Sequence, residues 1–381
     1  MTSNLPLQGY LVADFSRVLA GPLATSTLAD LGARVVKVER PGSGDDTRTW
    51  GPPWTISSSS YFECANRSKE SVVLDLDDAS DIALARRLAQ RADIVVENFR
   101  DGVMTQRGLD YATLSATNPG LVFCSVTGFG SGQGAALPGY DFLVQAVGGL
   151  MSITGEPGES PTKVGVALVD VLTGKDAVIG ILAAIAERSI SGRGQRVEVN
   201  LLSSLLGSLA NQGASFLATG TSPERAGNQH PSIAPYETLQ CQDDVLVVCC
   251  GNDAQFHRLC DVLGRPELIH DQRFGTNHSR VAHRDDLVLL LEQALARDTA
   301  EAWTAKLTSA RVSAGRVNTI AEAFDLATAL ELNPLVPIAD ATPQVRHPIT
   351  YSRTPVTEYQ APPQLDQNGD DIRRWLQEET P

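Results

Sequence analysis

The stretch GYLVADFSRVLAGPLATSTLADLGARVVKV, residues 9–38, decides the fold. Gly9–Phe15 is a short apolar run that reads as a strand. Ser16-Arg17 and Ala20-Gly21-Pro22 read as a turn. Leu23–Leu31 has helix character and stops at Gly32, a residue that ends helices because it enters the left-handed backbone region at little cost. Arg34–Val38 is a second strand. Strand, helix and strand joined by short turns form the unit from which parallel sheets are built. The alternation continues with strands at Ser71–Leu76, Asp93–Val96 and Leu121–Val126 and an amphipathic helix at Ala79–Arg91. This is the pattern of an α/β domain.

Further along, VGVALVDVLTGKDAVIG (164–180) reads as an extended apolar run feeding a helix, with the lone carboxylate of Asp170 at the junction. Aspartate is a favoured helix N-cap, so capping is the plain local role for it. Asp141, after Pro138-Gly139-Tyr140, has the same local reading and opens an expected helix over Asp141–Ser152. A long helix over Asp176–Ser191 leads to a strand at Gln195–Val199. Leu201–Leu217 follows as a second long helix, so apolar that it is either buried or packed on another subunit.

The composition turns to Gly, Pro, Ser and Asn near Thr219–Ser232. We therefore expect a large domain over 1–218 and a linker over 219–233. A smaller α+β domain then fills 234–320, with strands at Tyr236–Gln240 and Val245–Cys250. Residues 321–381 are expected as an extended return segment whose closing helix, Asp370–Gln377, packs on the large domain.

With 381 residues, 42% hydrophobic and 20% charged, the chain has ample material for globular cores. Its net charge of −14 argues against general binding to nucleic acid or to an anionic membrane surface. No apolar run is long enough to cross a bilayer, and MTSNLPLQGY lacks the layout of a secretory signal. Cysteines 64, 124, 241, 249, 250 and 260 contain no CxxC, and the adjacent Cys249 and Cys250, inside the apolar run VLVVCCG, read as small buried hydrophobes in a reducing compartment, so a cytoplasmic enzyme is expected.

Several chemistries lack their motifs. Six histidines show no HExxH or paired-ligand spacing, so no metal site is expected. GxSxG and GxxxxGK[ST] are both absent. GFGSGQG (128–134) follows a strand but is not GxGxxG, because Gln133 stands where the last glycine belongs. It reads as a flexible loop over a pocket, and no nicotinamide or flavin is expected. Arg17, Arg40, Lys69, Arg100 and Arg107 all fall at strand ends or just after them. Ligands of open α/β sheets bind there, and such cations suit a phosphorylated one.

Taken together, DFSRVLAGPLAT (14–25), LGARVVKVERPGSGD (31–45), ANRSKESVVLDL (65–76), ADIVVENFRDGV (92–103), PGYDFLVQAVGGLMSITG (138–155), DVLTG (170–174) and GRGQRVEVNLL (192–202) resemble the class III CoA-transferases, the family of formyl-CoA and carnitine CoA-transferases. The resemblance implies a Rossmann-like large domain plus a smaller α+β domain, in a homodimer of two interlocked chains. It implies coenzyme A, carried as an acyl-CoA substrate, and a carboxylic acid as partners. Asp170 matches the family's nucleophilic aspartate, with Tyr140 in a supporting position. Val18, Ala20, Arg40, Lys69, Asn98 and Phe99 match the lining of the CoA adenine and phosphate region. The family's next arginine falls at Gln106, with Arg107 beside it. Gly251–Gln255 matches the small-domain loop over the active site.

The implied reaction passes through an aspartyl anhydride and an aspartyl-CoA thioester. The apolar Val164–Val169 run is expected to keep water off the anhydride, and glycine-rich loops to supply oxyanion donors. The alternative within the same fold is racemisation of a 2-methylacyl-CoA by α-proton transfer. There the resembling enzymes carry histidine at the position of Tyr140, and an ordinary tyrosine is a poor base at neutral pH.

Overall fold

The computed structural model describes residues 5–56, 58–338 and 341–378. Its chain divides into two compact units. One gathers Met1–Leu150, Lys163–Ser222 and Asn333–Pro381, and the other gathers Met151–Thr162 and Pro223–Leu332.

The first unit is built on six parallel strands: β1 (Leu11–Asp14), β2 (Arg34–Glu39), β3 (Glu70–Val73), β4 (Ile94–Glu97), β5 (Val122–Thr127) and β6 (Arg196–Asn200). They lie in the order β3-β2-β1-β4-β5-β6, the Rossmann order. Val12, Val35, Ile94, Val96, Val122 and Cys124 point to one face and pack with Ala24, Leu28, Ala177 and Ile181 of the helices there. Ala13, Val36, Val72 and Val95 point to the other and pack with Leu84, Ala85, Leu88 and Ile372. Both faces are covered, so a central strand such as β4 is buried at every position and reads as an apolar run, while the edge strand β6 alternates as RVEVN and is less buried.

Tertiary context moved several helix boundaries. The first helix begins at Ala20 rather than Leu23. Pro22 is tolerated in its first turn, where the missing N–H has no intrahelical partner to lose. The helix carrying Asp170 is a single element, Leu168–Ser191, so Asp170 sits inside its first turn and is not its N-cap. Val164–Ala167 is a loop, not a strand. The helix expected over Asp141–Ser152 ends at Val147, before Gly148 and Gly149, the latter with φ of 88°. The long helix expected at 201–217 is two, Leu201–Ser208 and Ala210–Thr219, broken where Ala210 adopts φ of 45°.

The second unit carries an antiparallel sheet of β7 (Tyr236–Gln240), β8 (Val245–Cys249) and β9 (Ser313–Arg316). Helices Asp253–Leu263, Arg284–Leu295 and Ala300–Ser309 cover it through Phe256, Leu259, Leu291 and Trp303. Gly155 accepts from Gly227 N–H at 3.0 Å, joining the Met151–Thr162 stretch to this unit. Ile320–Ala329 forms a helix, although residues 321–329 were expected within the extended return segment. Thr319 and Glu322 close it with a reciprocal capping box. In the first unit Ile372 and Leu376 of helix Gly369–Gln377 pack against the helix Ala79–Arg91 side of the sheet. Of the two adjacent cysteines expected in the core, Cys250 is buried and Cys249 half-buried, and Cys64 is exposed. Among the described residues no helix is long and apolar enough to cross a membrane.

Candidate active site

The sheet order reverses between β1 and β4, and a crevice beyond the carboxyl ends of strands at such a point is where these folds take ligands. A cleft of about 430 Å³ opens there, between the loop after β1 and the loop after β4. Val18, Ala20, Asn98, Phe99, Tyr140 and Asp170 all line it. Sequence positions spread over 150 residues therefore meet at one wall.

The loop after β1 is fixed from beneath. Val18 has φ of 72°, a strained conformation for a β-branched residue. Its N–H faces both oxygens of Asp45 at 3.3 Å. Lys37 donates to the Ser16 carbonyl at 2.8 Å and pairs with Asp45 at 2.9 Å. Asn98 clamps the next residue: its Oδ1 accepts from Arg17 N–H at 2.9 Å and its Nδ2 donates to Arg17 C=O at 2.7 Å. The amide of Asn98 thus shapes the wall through backbone contacts.

Lys69 does not reach this wall. Its ammonium is buried and donates to Asp14 at 3.1 Å, to the Pro22 carbonyl at 2.9 Å and to Asn66 Oδ1 at 2.9 Å. All three donors are spent. Burial pulls it down to about 8, against the attraction of Asp14. Sequence could not separate a buried lysine from a cleft lysine, because both follow the same loop.

Arg40 and Arg107 lie in an adjoining hollow of about 180 Å³, shared with Arg17, Leu76 and Phe99. Arg17 and Arg40 both pair with Asp46, and Arg107 pairs with Asp77 and donates to Leu76 C=O at 3.1 Å. Gln106 is exposed and lines neither space. The guanidinium groups of Arg17, Arg40 and Arg107 are shaped to hold phosphate oxygens, and Glu39, Asp75 and Asp77 line the same hollow.

Asp170 is half-buried, and no described residue donates a hydrogen bond to its carboxylate. Its backbone N–H and that of Val169 instead reach Asp141 Oδ1, at 3.2 and 2.8 Å. The carboxylate expected to cap its own helix therefore caps another, with Tyr140 as N-cap of Asp141–Val147. Burial, and then the Asp141 charge, push the Asp170 carboxyl up to about 7. Tyr61 is pushed up to about 12, by burial first and then by Asp170. Trp50 meets the Tyr61 ring edge-on at 5.3 Å. These two aromatics come from a Pro/Ser-rich loop without periodicity, so nothing in the pattern marks them.

Two expectations about the surroundings change. Val166 is exposed, and only Val169 of the Val164–Val169 run is fully buried, so that run gives Asp170 little cover. The glycine loop after β5 is pinned rather than free. Gly128 and Gly139 approach so closely that a Cβ on Gly139 would lie 2.4 Å from the Gly128 Cα. Gly130 N–H is spent on Thr127 Oγ1 at 3.0 Å, which removes it as an oxyanion donor. Gly139→Ala is expected to force these backbones apart at a cost of about 1–3 kcal/mol. Urea unfolding checks this, and an unchanged midpoint would show that the loops absorb the methyl group.

Among the described residues no three His, Cys, Asp or Glu side chains converge as metal ligands would. The site can present one unpaired carboxylate to an electrophile, beside cations and apolar walls.

Residues 7–369 match the model of CoA-transferase family III. The chain is 42% identical over 375 residues to the succinate–glutarate CoA-transferase of Agrobacterium fabrum, covering 95% of this chain and 94% of that protein. It is 43% identical over 333 residues to the acetyl-CoA:oxalate CoA-transferase of Acetobacter aceti, covering 87% and 85%. The crystal structure of a CaiB/BaiF family protein from Brucella suis superposes with a TM-score of 0.88 at 43% identity, covering 98% of this chain and all of that one. With that match across nearly its whole length, and a cleft that holds a free carboxylate, the chain belongs to CoA-transferase family III.

Proposed function

We propose that this CoA-transferase moves CoA from an acyl-CoA to a carboxylic acid with Asp170 as the covalent carrier. The observation that carries the reading is the Asp170 carboxylate, unpaired at the cleft wall beyond β1 and β4. Asp170 attacks the thioester carbonyl; the C–S bond breaks and a mixed anhydride and CoA thiolate form. The thiolate attacks the aspartyl carbonyl, releases the first carboxylate and leaves an aspartyl-CoA thioester. The acceptor carboxylate attacks that thioester and expels the thiolate, giving a second anhydride. Thiolate attack on its acyl carbonyl yields the new acyl-CoA and restores Asp170. Anhydride and thioester are similarly activated acyl groups, so covalent catalysis divides one hard exchange into feasible steps.

Val18, Ala20, Asn98 and Phe99 form the CoA-facing wall in this reading, and Arg40 and Arg107 take phosphate oxygens in the adjoining hollow. Tyr140, 61% exposed at the cleft mouth, lies over the reacting groups. Lys69 contributes through the fold beneath. Short dicarboxylates are the proposed acids, because succinate, glutarate and oxalate stand in the relatives' names. Incubating the enzyme with succinyl-CoA and a panel of mono- and dicarboxylic acids tests this. Preference for monocarboxylates would reject it. Solvent deuterium entering a 2-methylacyl-CoA without CoA transfer would favour the racemase reading instead.

The acid limb follows from Asp170. A carboxyl at about 7 is protonated below that pH and loses its nucleophilic form. Accordingly kcat/KM is expected to fall about tenfold per unit below pH 7. A flat profile from pH 5 to 8 would contradict this assignment.

An interlocked homodimer in the cytoplasm completes the proposal. Helices Ala210–Thr219 and Ile320–Ala329 have no buried residue, and Leu217 and Ile320 are 83% and 80% exposed. Such apolar surface supports an interface with a second copy. Linked chains cannot part without unfolding, so two differently tagged dimers should exchange no subunits until denatured. Exchange under native conditions would rule out the link.

A further inference from the structure

Asp141 has a residual job that the reaction scheme leaves open. One of its oxygens accepts from Val169 N–H at 2.8 Å and Asp170 N–H at 3.2 Å. The other accepts from Gln145 Nε2 at 2.6 Å. Gln145 is fully buried, and its Oε1 accepts from Val164 N–H at 2.9 Å. One buried amide thus ties helix Asp141–Val147 to the loop that enters helix Leu168–Ser191.

We propose that Asp141 is a positioning residue for Asp170. Its carboxylate takes the free N–H groups at the start of the long helix, holds the Asp170 backbone, and leaves the Asp170 side chain in the cleft beside a second negative charge. The physical consequence is specific. A helix N-terminus ordinarily stabilises a carboxylate in its first turn. Here the N–H groups that would do so are already occupied by another carboxylate, so Asp170 keeps a more basic, more nucleophilic oxygen.

The groups around Asp170 bear this out. Asp141 faces it from its own helix, and Tyr61, with Cys64 beside it, from the Ser60–Glu63 turn. Helix Ala20–Asp30 packs there through Ala20 and Leu23, neither of which titrates. Helix Leu201–Ser208 carries no charge. Of the arginines lining the cleft, Arg17 pairs with Asp46, Arg196 pairs with Glu198, and Arg100 is exposed. Among the described residues, Asp141 is the charged group that acts on the Asp170 carboxyl, and after burial it raises it further.

This inference rests on Asp170 being the nucleophile, so its test is read on the resting protein without CoA chemistry. The carboxyl resonance of Asp170 in protein labelled with ¹³C-aspartate, identified by its loss in Asp170→Asn, is followed against pH. In Asp141→Asn the titration midpoint should drop by about one unit or more, because the charge is gone while an amide oxygen can still cap. The acid limb of kcat/KM should move with it. Asp141→Asn sets two amide donors face to face, so Asp141→Asn/Gln145→Glu restores the hydrogen bonds and returns a charge nearby. That double variant should recover part of the shift. A midpoint unchanged in both variants overturns the role of Asp141. Full activity in Asp170→Asn would overturn the nucleophile instead, whatever the midpoint does.

Discussion

Asp170→Asn lowers kcat for CoA transfer by about 10⁴-fold or more, and hydroxylamine traps no adduct at this position. Asparagine keeps the shape of the side chain, so the cleft and its grip on the CoA thioester should persist, with KM changing only a few-fold. What disappears is the carboxylate that forms the anhydride. The same substitution should make the protein more stable at pH 8. Asp170 is raised from 3.8 to about 7, so the folded state holds its proton between those values while the unfolded chain releases it. Stability therefore falls as pH rises from about 4 to 7, and above 7 the ionised carboxylate costs its full amount. Removing it should return about 1–3 kcal/mol at pH 8 and little at pH 4. Steady-state kinetics, adduct mapping by peptide mass and urea unfolding at both pH values check the set. Near-normal turnover in the variant would end the covalent scheme.

Lys37→Met destabilises the protein by about 3–5 kcal/mol. Lys37 is fully buried, 2.9 Å from Asp45, and it donates to the Ser16 carbonyl. Around it Asp14, Glu39 and Asp45 balance Lys37, Lys69 and Arg48 in one buried network. Methionine fills the space but leaves Asp45 facing no cation of its own, and a buried charge without its partner is far costlier than the pair is valuable. Lys37 holds Asp45 down to about 2 from 3.8, against burial, which alone would raise it. That depressed value contributes about 2 kcal/mol above pH 4, lost as pH falls through 2. The Lys37→Met protein should therefore lose less further stability between pH 5 and pH 3 than the wild type. Because the network also fixes Val18, KM for the CoA thioester should rise in the same variant. A loss under 1 kcal/mol would mean that the neighbouring cations replace Lys37.

Both predictions concern residues whose presence is plain in the sequence and whose partners are not. The central strands were legible because a parallel sheet covered on both faces favours apolar residues on successive positions. LVAD, RVVKVE, IVVE and VFCSVT therefore stand out against the glycines and prolines that separate them. Helix ends set by local chemistry were legible too, as at Gly192 after the long helix. The Asp170 position followed from motifs in order along the chain.

Contacts between remote residues were not legible, because no periodicity encodes them. Asp141 has the local look of an N-cap, yet its carboxylate serves a helix 28 residues further on. Lys69 looks like a cleft cation, yet its three donors end on Asp14, Pro22 and Asn66. Val164–Val169 looks like a strand, yet a cap from another element starts a helix inside it. The sequence by itself determined the sheet, the family and the candidate nucleophile, since strand burial and motif order are properties of the linear chain. Only the tertiary structure decided which carboxylate is capped, which is buried in an ion network and which is left free to react. Those fates depend on desolvation and on hydrogen-bond partners, and both exist only once distant segments have met.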